Sequence, residues 1–128
     1  MSMNNQPAWI LVIDDDPDIS MMLKMMLEYK GYKVVTADRV DEIFQAISNK
    51  SFNLIIMDML LSGINGTDIC VQLKGKEATR RIPVMMISAH PNAKELCLQA
   101  GANDFMAKPF DMDDIINTVG RLVTNSTL

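Results

Sequence analysis

Five polar residues stand at the ends of apolar runs, and their chemistries are complementary. Asp14 and Asp15 follow Trp9 to Ile13, Asp58 follows Leu54 to Met57, Ser88 follows Pro83 to Ile87, and Lys108 follows Asp104 to Ala107. If these runs are neighbouring strands, the three carboxylates crowd together. Two like charges ~4 Å apart cost about 4 kcal/mol at an effective dielectric of 20, so such a cluster needs a cation. Oxygen-only ligands on an open rim suit magnesium, which keeps waters and shares its sphere with a phosphate. Lys108 adds a second positive charge facing an anion, and Ser88 a hydroxyl donor. The set describes phosphoryl transfer. A carboxylate attacks phosphorus and forms an acyl phosphate, while metal and lysine neutralise the equatorial oxygens. Taken singly, each residue has a plainer reading: Asp58 as a turn residue, Ser88 as an ordinary strand end, Lys108 as a surface cation. The weight lies in their joint position.

An alternation of strands and helices would position them. After the first run, Asp16 is an N-cap and Pro17 occupies the first helical position, where a missing N–H costs nothing. Ile19, Met22, Leu23, Met26 and Leu27 share one helical face, and Gly31 is a C-terminal stop. Lys33 to Ala37 is a less apolar strand, expected near an edge. Asp38 is expected to cap a helix whose apolar face is Val40, Ile43, Phe44 and Ile47. After the third run, a turn through Ser62, Gly63, Asn65 and Gly66 leads into a helix carrying Ile69, Cys70 and Leu73. Pro83 opens the fourth strand, where proline is tolerated. Ala93, Leu96, Cys97 and Ala100 form the next helical face. Asp111 caps the last helix, whose expected buried face is Met112, Ile115, Ile116, Val119, Leu122 and Val123.

Roughly five such units with continuously apolar strands imply an α/β protein with a parallel sheet covered on both faces. Right-handed crossovers favour a doubly wound (βα)5 three-layer sandwich, and the order 2-1-3-4-5 sets strands one and three side by side. The expected division is a short lead over 1–8, one domain over 9–124 and a tail over 125–128.

Composition narrows the function. A net charge of −4 disfavours nucleic acid as a partner. No apolar run approaches the roughly 20 residues of a membrane span, and Met1 to Pro7 lacks a signal-peptide pattern. Cys70 and Cys97 make no CxxC pair and read as buried free thiols, which fits a cytoplasmic protein. The methionines, 12 in all, read as packing residues.

Ile13-Asp14-Asp15-Asp16-Pro17, Ile56-Met57-Asp58, Ile87-Ser88-Ala89, Ala100-Gly101-Ala102 and Ala107-Lys108-Pro109-Phe110, in that order, resemble a response-regulator receiver domain of two-component signalling, from about Trp9 to Val123. The resemblance implies a flavodoxin-like fold with Asp58 as phosphoacceptor. It makes Asp15 a direct Mg2+ ligand and Asp14 one acting partly through water, joined by Asp58 and the backbone carbonyl of Leu60. Lys108 would contact the phosphoryl oxygens, and its bond to Pro109 is often cis in the family. Ser88 would hydrogen-bond the phosphoryl group. Phe105 matches the aromatic switch position, and the fourth helix, fifth strand and fifth helix would form the output face. A histidine kinase or histidine phosphotransfer protein would donate the phosphate, with a protein as downstream partner. The chain is expected to act as a single-domain regulator that catalyses only its own phosphorylation and dephosphorylation. Leu60 and His90, just beyond Asp58 and Ser88, are expected to set how fast water reaches the acyl phosphate. Four features depart from the family pattern: Phe105 for the frequent tyrosine, Ser62 for a common proline, Ser88 for threonine, and a shortened span between Ser88 and Lys108.

Three other readings fit parts of the chain. An aspartyl-phosphate phosphohydrolase would use Asp14 as nucleophile and Asp16 as acid, but Pro17 and the immediate helix leave no specificity loop. A phosphorylation-independent interaction module does not account for Asp15, Asp58, Ser88 and Lys108 together. A flavin protein would need a phosphate loop after strand one, and none is present.

Overall fold

The computed structural model describes residues 6–61 and 63–126. In chain order the elements are β1 (Trp9–Ile13), α1 (Pro17–Tyr29), β2 (Lys33–Ala37), α2 (Val40–Asn49), β3 (Leu54–Asp58), β4 (Leu60–Leu61), β5 (Ile64–Asn65), α3 (Gly66–Gly75), β6 (Val84–Ser88), α4 (Ala93–Gln99), β7 (Asp104–Ala107) and α5 (Met112–Ser126). The main sheet is parallel, in the order β2-β1-β3-β6-β7. It is the expected doubly wound order, renumbered by the small antiparallel hairpin β4-β5. Two-residue strands carry no periodicity, so the hairpin region reads from sequence only as a turn.

Alternation along each strand divides the core into two layers. Ile10, Val12, Leu54, Ile56, Met85 and Ile87 pack with Leu23 and Leu27 of α1 and Ile115 and Val119 of α5. Leu11, Ile13, Ile55, Met57, Val84 and Met86 pack on the other face with Ile43, Ile69, Leu73 and Cys97. Every residue of β3 and β6 is buried, which accounts for their unbroken apolar sequence. Each large aliphatic side chain so buried contributes about 1.5–3 kcal/mol. β2, the less apolar strand, is an edge as expected.

The helix ends show which expectations hold. Asp16 caps α1, its carboxylate accepting from the Asp18 N–H at 3.0 Å. Asp38 does not cap α2. Arg39 takes the N-cap position without a side-chain bond, and the Glu42 carboxylate reaches back to accept the Asp38 N–H at 3.1 Å. A carboxylate inside the first turn can satisfy an orphan donor as well as one at the cap. α5 starts directly after Asp111, whose carbonyl accepts from the Ile115 N–H.

Three residues expected in the core are exposed: Met22, Leu96 and Met112. Helical spacing defines a face, but the neighbouring layer decides how much of it is covered. α4 is short and buries only Ala93 and Cys97. Met112 lies in the first turn of α5 and lines a groove with Met21, Met22, Met25 and Tyr29 of α1. Cys70 and Cys97 are buried free thiols. Among the described residues no helix is long and apolar enough to cross a membrane. Ser62 lies outside the described residues.

Candidate functional site

The strand register brings the chemistry to one rim. Ile13 pairs with Met57, Asp58 with Ile87, and Ser88 with Ala107, so the carboxyl ends of β1, β3, β6 and β7 finish nearly level. Asp14 and Lys108 come just past β1 and β7, and Asp58 and Ser88 are the last residues of β3 and β6, so all four stand at the carboxyl edge, the usual position of sites in open parallel sheets.

Asp14 is the most constrained member, at 1% exposure. Its N–H donates to the Ala37 carbonyl at 3.3 Å, and its carbonyl accepts from the Ser20 hydroxyl at 3.1 Å. Its Oδ1 accepts the Asp16 N–H at 2.9 Å. Ser20 was not singled out from sequence, since a serine inside an amphipathic helix carries no motif. Asp58 is fixed by its neighbours: the Met59 N–H donates to the Ile87 carbonyl at 2.9 Å, and the Leu60 N–H to Asp58 Oδ1 at 3.3 Å.

Lys108 reaches back across the sheet. Its N–H donates to the Ser88 carbonyl at 2.9 Å, anchoring the backbone after β7. Its Nζ lies 3.1 Å from Asp58 Oδ2 and 3.3 Å from Asp14 Oδ2. The Lys108–Pro109 peptide is cis, as the resemblance implied.

Asp14, Asp15 and Asp58 each offer a carboxylate oxygen, and the three oxygens lie within 4.8 Å of one another. Asp14 is buried and Asp15 exposed. Three carboxylates against one ammonium leave a net negative centre. Burial, assisted by the charge of Asp58, pushes the Asp14 carboxyl above its ordinary range, against the Asp16 N–H and Lys108. Burial pulls the Lys108 ammonium down, but its bond to Asp58 and the two carboxylate charges outweigh this and hold it above the usual lysine value. The lysine gains from the pairing, whereas Asp14 loses more to burial than the pairing returns. A hard divalent cation fits such a donor set: oxygen ligands only, excess negative charge, and an exposed side open to water.

The remaining candidates lie around this centre. Ser88 is buried at the end of β6, its Oγ accepting the His90 N–H at 3.0 Å. His90 is exposed, and its Nδ1 accepts the Asn92 N–H at 3.2 Å. Leu60 begins the small hairpin with its side chain 59% exposed. Phe105 is partly buried against the core beneath α3 and α4. Asp16, the acid of the phosphohydrolase reading, is engaged as the cap of α1.

Residues 10–120 match the family model of the response regulator receiver domain, and the chain belongs to that family. It is 31% identical over 112 residues to the phosphate regulon transcriptional regulatory protein PhoB of Rhizobium meliloti, covering 86% of this chain and 49% of that protein. The chain spans from 17% to 50% of the length of the curated relatives it matches. Its structure superposes with a TM-score of 0.84 on the signal receiver domain of a signal transduction histidine kinase from Syntrophus aciditrophicus, at 31% identity, covering 92% of this chain and 91% of the other. The receiver domain of a sensor histidine kinase from Pseudomonas aeruginosa, whose structure has a magnesium ion coordinated in the active site cleft, gives 0.84 at 26% identity, covering 93% and 99%. Receiver domains are signalling domains, and the acidic cluster of this one is compatible with Mg2+.

Proposed function

We propose that Asp58 accepts a phosphoryl group from a histidine kinase or a histidine phosphotransfer protein in a Mg2+-dependent reaction. The contact that carries this reading is the Lys108 ammonium bridging the Asp58 and Asp14 carboxylates at the mouth of the sheet. A carboxylate oxygen of Asp58 attacks phosphorus, the bond from phosphorus to the donor imidazole breaks, and the electron pair leaves with that nitrogen. Mg2+, held by Asp14, Asp15, Asp58 and the backbone carbonyl of Leu60, would neutralise charge on the phosphoryl oxygens. Lys108 is already directed at the same charge, so little reorganisation accompanies transfer.

After transfer, the Ser88 hydroxyl turns towards a phosphoryl oxygen. It is a small donor at the end of the strand beside Asp58, and its Oγ holds the His90 N–H in the unphosphorylated form. Phe105 moves with it, and the face formed by α4, β7 and α5 passes the change to a protein partner. The phosphoryl group thereby biases two conformations of that face, which is how a local charge becomes a signal. The site sits in the cytoplasm, where the donor proteins act, and turns over no substrate besides its own acyl phosphate.

The direct test is incubation with a small acyl-phosphate donor and Mg2+, followed by intact-mass measurement. Wild type gains one base-labile phosphoryl group, and Asp58→Asn gains none. Equal labelling of both proteins rejects the assignment.

A further inference from the structure

Gly66 opens α3, is buried, and is not in the left-handed region, so any L-residue can adopt its backbone conformation. Space is what excludes a side chain. A Cβ built there meets the Asp58 carbonyl oxygen at 2.5 Å, the Met59 carbonyl oxygen at 3.0 Å and the Met59 Cα at 3.2 Å. All three are backbone atoms, which cannot swing aside as the end of a side chain can. The Gly66 N–H also donates to the Met59 carbonyl. The first residue of α3 is therefore pressed and hydrogen-bonded onto the segment that carries the Asp58 carboxylate and leads into Leu60. Gly75, at the other end of the same helix, has nothing near its missing side chain.

We propose that Gly66 is a positioning residue of the phosphoacceptor site: it lets the N-terminus of α3 close onto the Asp58–Met59 backbone and so fixes where Asp58 and the Leu60 carbonyl face the metal. The inference rests on the phosphoacceptor reading above. A side chain at position 66 pushes on the Asp58 carbonyl and moves the nucleophile with it. Asn65, the N-cap of α3, holds the same contact from the helix side, its Oδ1 accepting the Thr67 N–H at 3.0 Å and the Thr67 hydroxyl at 2.7 Å. Removing that cap loosens the contact without adding bulk.

Three variants test this: Gly66→Ala, Asn65→Ala and, as the helix control, Gly75→Ala. Magnesium affinity is measured by calorimetry and by the amide NMR shifts of residues 58–60, alongside thermal stability without metal and labelling by a small acyl-phosphate donor. Gly66→Ala is expected to weaken magnesium binding about tenfold, as loss of an outer support typically does. Its amide shifts at 58–60 should differ from wild type before metal is added, and labelling should stay slow at saturating magnesium. Gly75→Ala is expected to bind magnesium as wild type does. A folded Gly66→Ala with wild-type affinity and labelling overturns the proposal, as does an equal loss in Gly75→Ala. If Gly66→Ala does not fold, Asn65→Ala decides: fast amide exchange at Thr67 with unchanged magnesium affinity is again contrary. A wild type that binds no magnesium and takes no phosphate rejects the phosphoacceptor reading itself. A wild type that does both while Gly66→Ala matches it rejects this inference alone.

Discussion

The ammonium of Lys108 lies 3.1 Å from the carboxylate of Asp58, although Asp58 ends β3, Lys108 follows β7, and β6 lies between those strands. Only the length of the lysine side chain and the level strand ends allow the contact. It fixes a positive charge beside the group assigned as nucleophile before any phosphate arrives. Replacing Lys108 with Ala is expected to slow labelling from a small acyl phosphate by about 10²-fold, the usual cost of removing one charge-stabilising donor. Magnesium affinity should hold or rise, since a competing cation has gone. Rapid-quench labelling checks the first outcome and calorimetry the second.

Asp14 makes the opposite contribution. Its carboxyl is raised above the ordinary value of 3.8, chiefly by burial, so the folded protein binds that proton more tightly than the unfolded chain. A raised acid favours folding at low pH, and the advantage is lost as pH rises through 3.8 towards the folded value. At neutral pH the charged carboxylate opposes folding. Asp14→Asn is therefore expected to raise the Tm by about 3–5 °C at pH 7 in the presence of a chelator, the shift that roughly 1 kcal/mol gives in a domain of this size. The gain should shrink as pH falls from the folded value towards 3.8 and be gone below it, where wild type is protonated in both states. Thermal melts at both pH values test this, and a lower Tm at pH 7 goes against it.

The cysteines supply an alkaline limit. Burial, with the nearby Cys70, pushes the Cys97 thiol from 9.0 to about 11. The unfolded chain loses that proton first, so stability declines between pH 9 and pH 11 and then levels. Labelling with a neutral thiol reagent at pH 8 should follow global unfolding. Labelling of the native protein as fast as a free peptide contradicts the buried placement.

Leu60 follows the acceptor by two residues and His90 follows Ser88 by two, and both side chains are exposed. Exchanging them for Asn and Ala respectively should change the rate of loss of phosphate several-fold, with faster loss where the apolar cover of Leu60 is removed. An unchanged rate in the double variant removes both residues from control of hydrolysis.

What sequence disclosed, and what it withheld, follows from range. Strands with no polar interruption announced a doubly covered sheet, and Asp14, Asp15, Asp58, Ser88 and Lys108 were visible because each breaks such a run at its end. Asp16-Pro17 marked a helix start through local chemistry alone. Asp38 reads as the cap of α2 because acidic residues favour helix starts, yet Arg39 takes the N-cap position and the Glu42 carboxylate accepts the Asp38 N–H. Met112 and Leu96 match helical spacing, yet their neighbours leave about half of each exposed. Gly66 was legible as a turn residue. Its contact with the Asp58 backbone depends on how α3 docks, which no local pattern encodes.

The measurement that bears most directly on the whole account is locating the phosphoryl group. Borohydride reduction after labelling with an acyl-phosphate donor and Mg2+ converts a phosphorylated aspartate to homoserine, which tandem mass spectrometry assigns to one position. The expected result is homoserine at position 58 alone, lost when magnesium is chelated. Homoserine at position 14, or at no aspartate in a folded protein supplied with donor and metal, contradicts it.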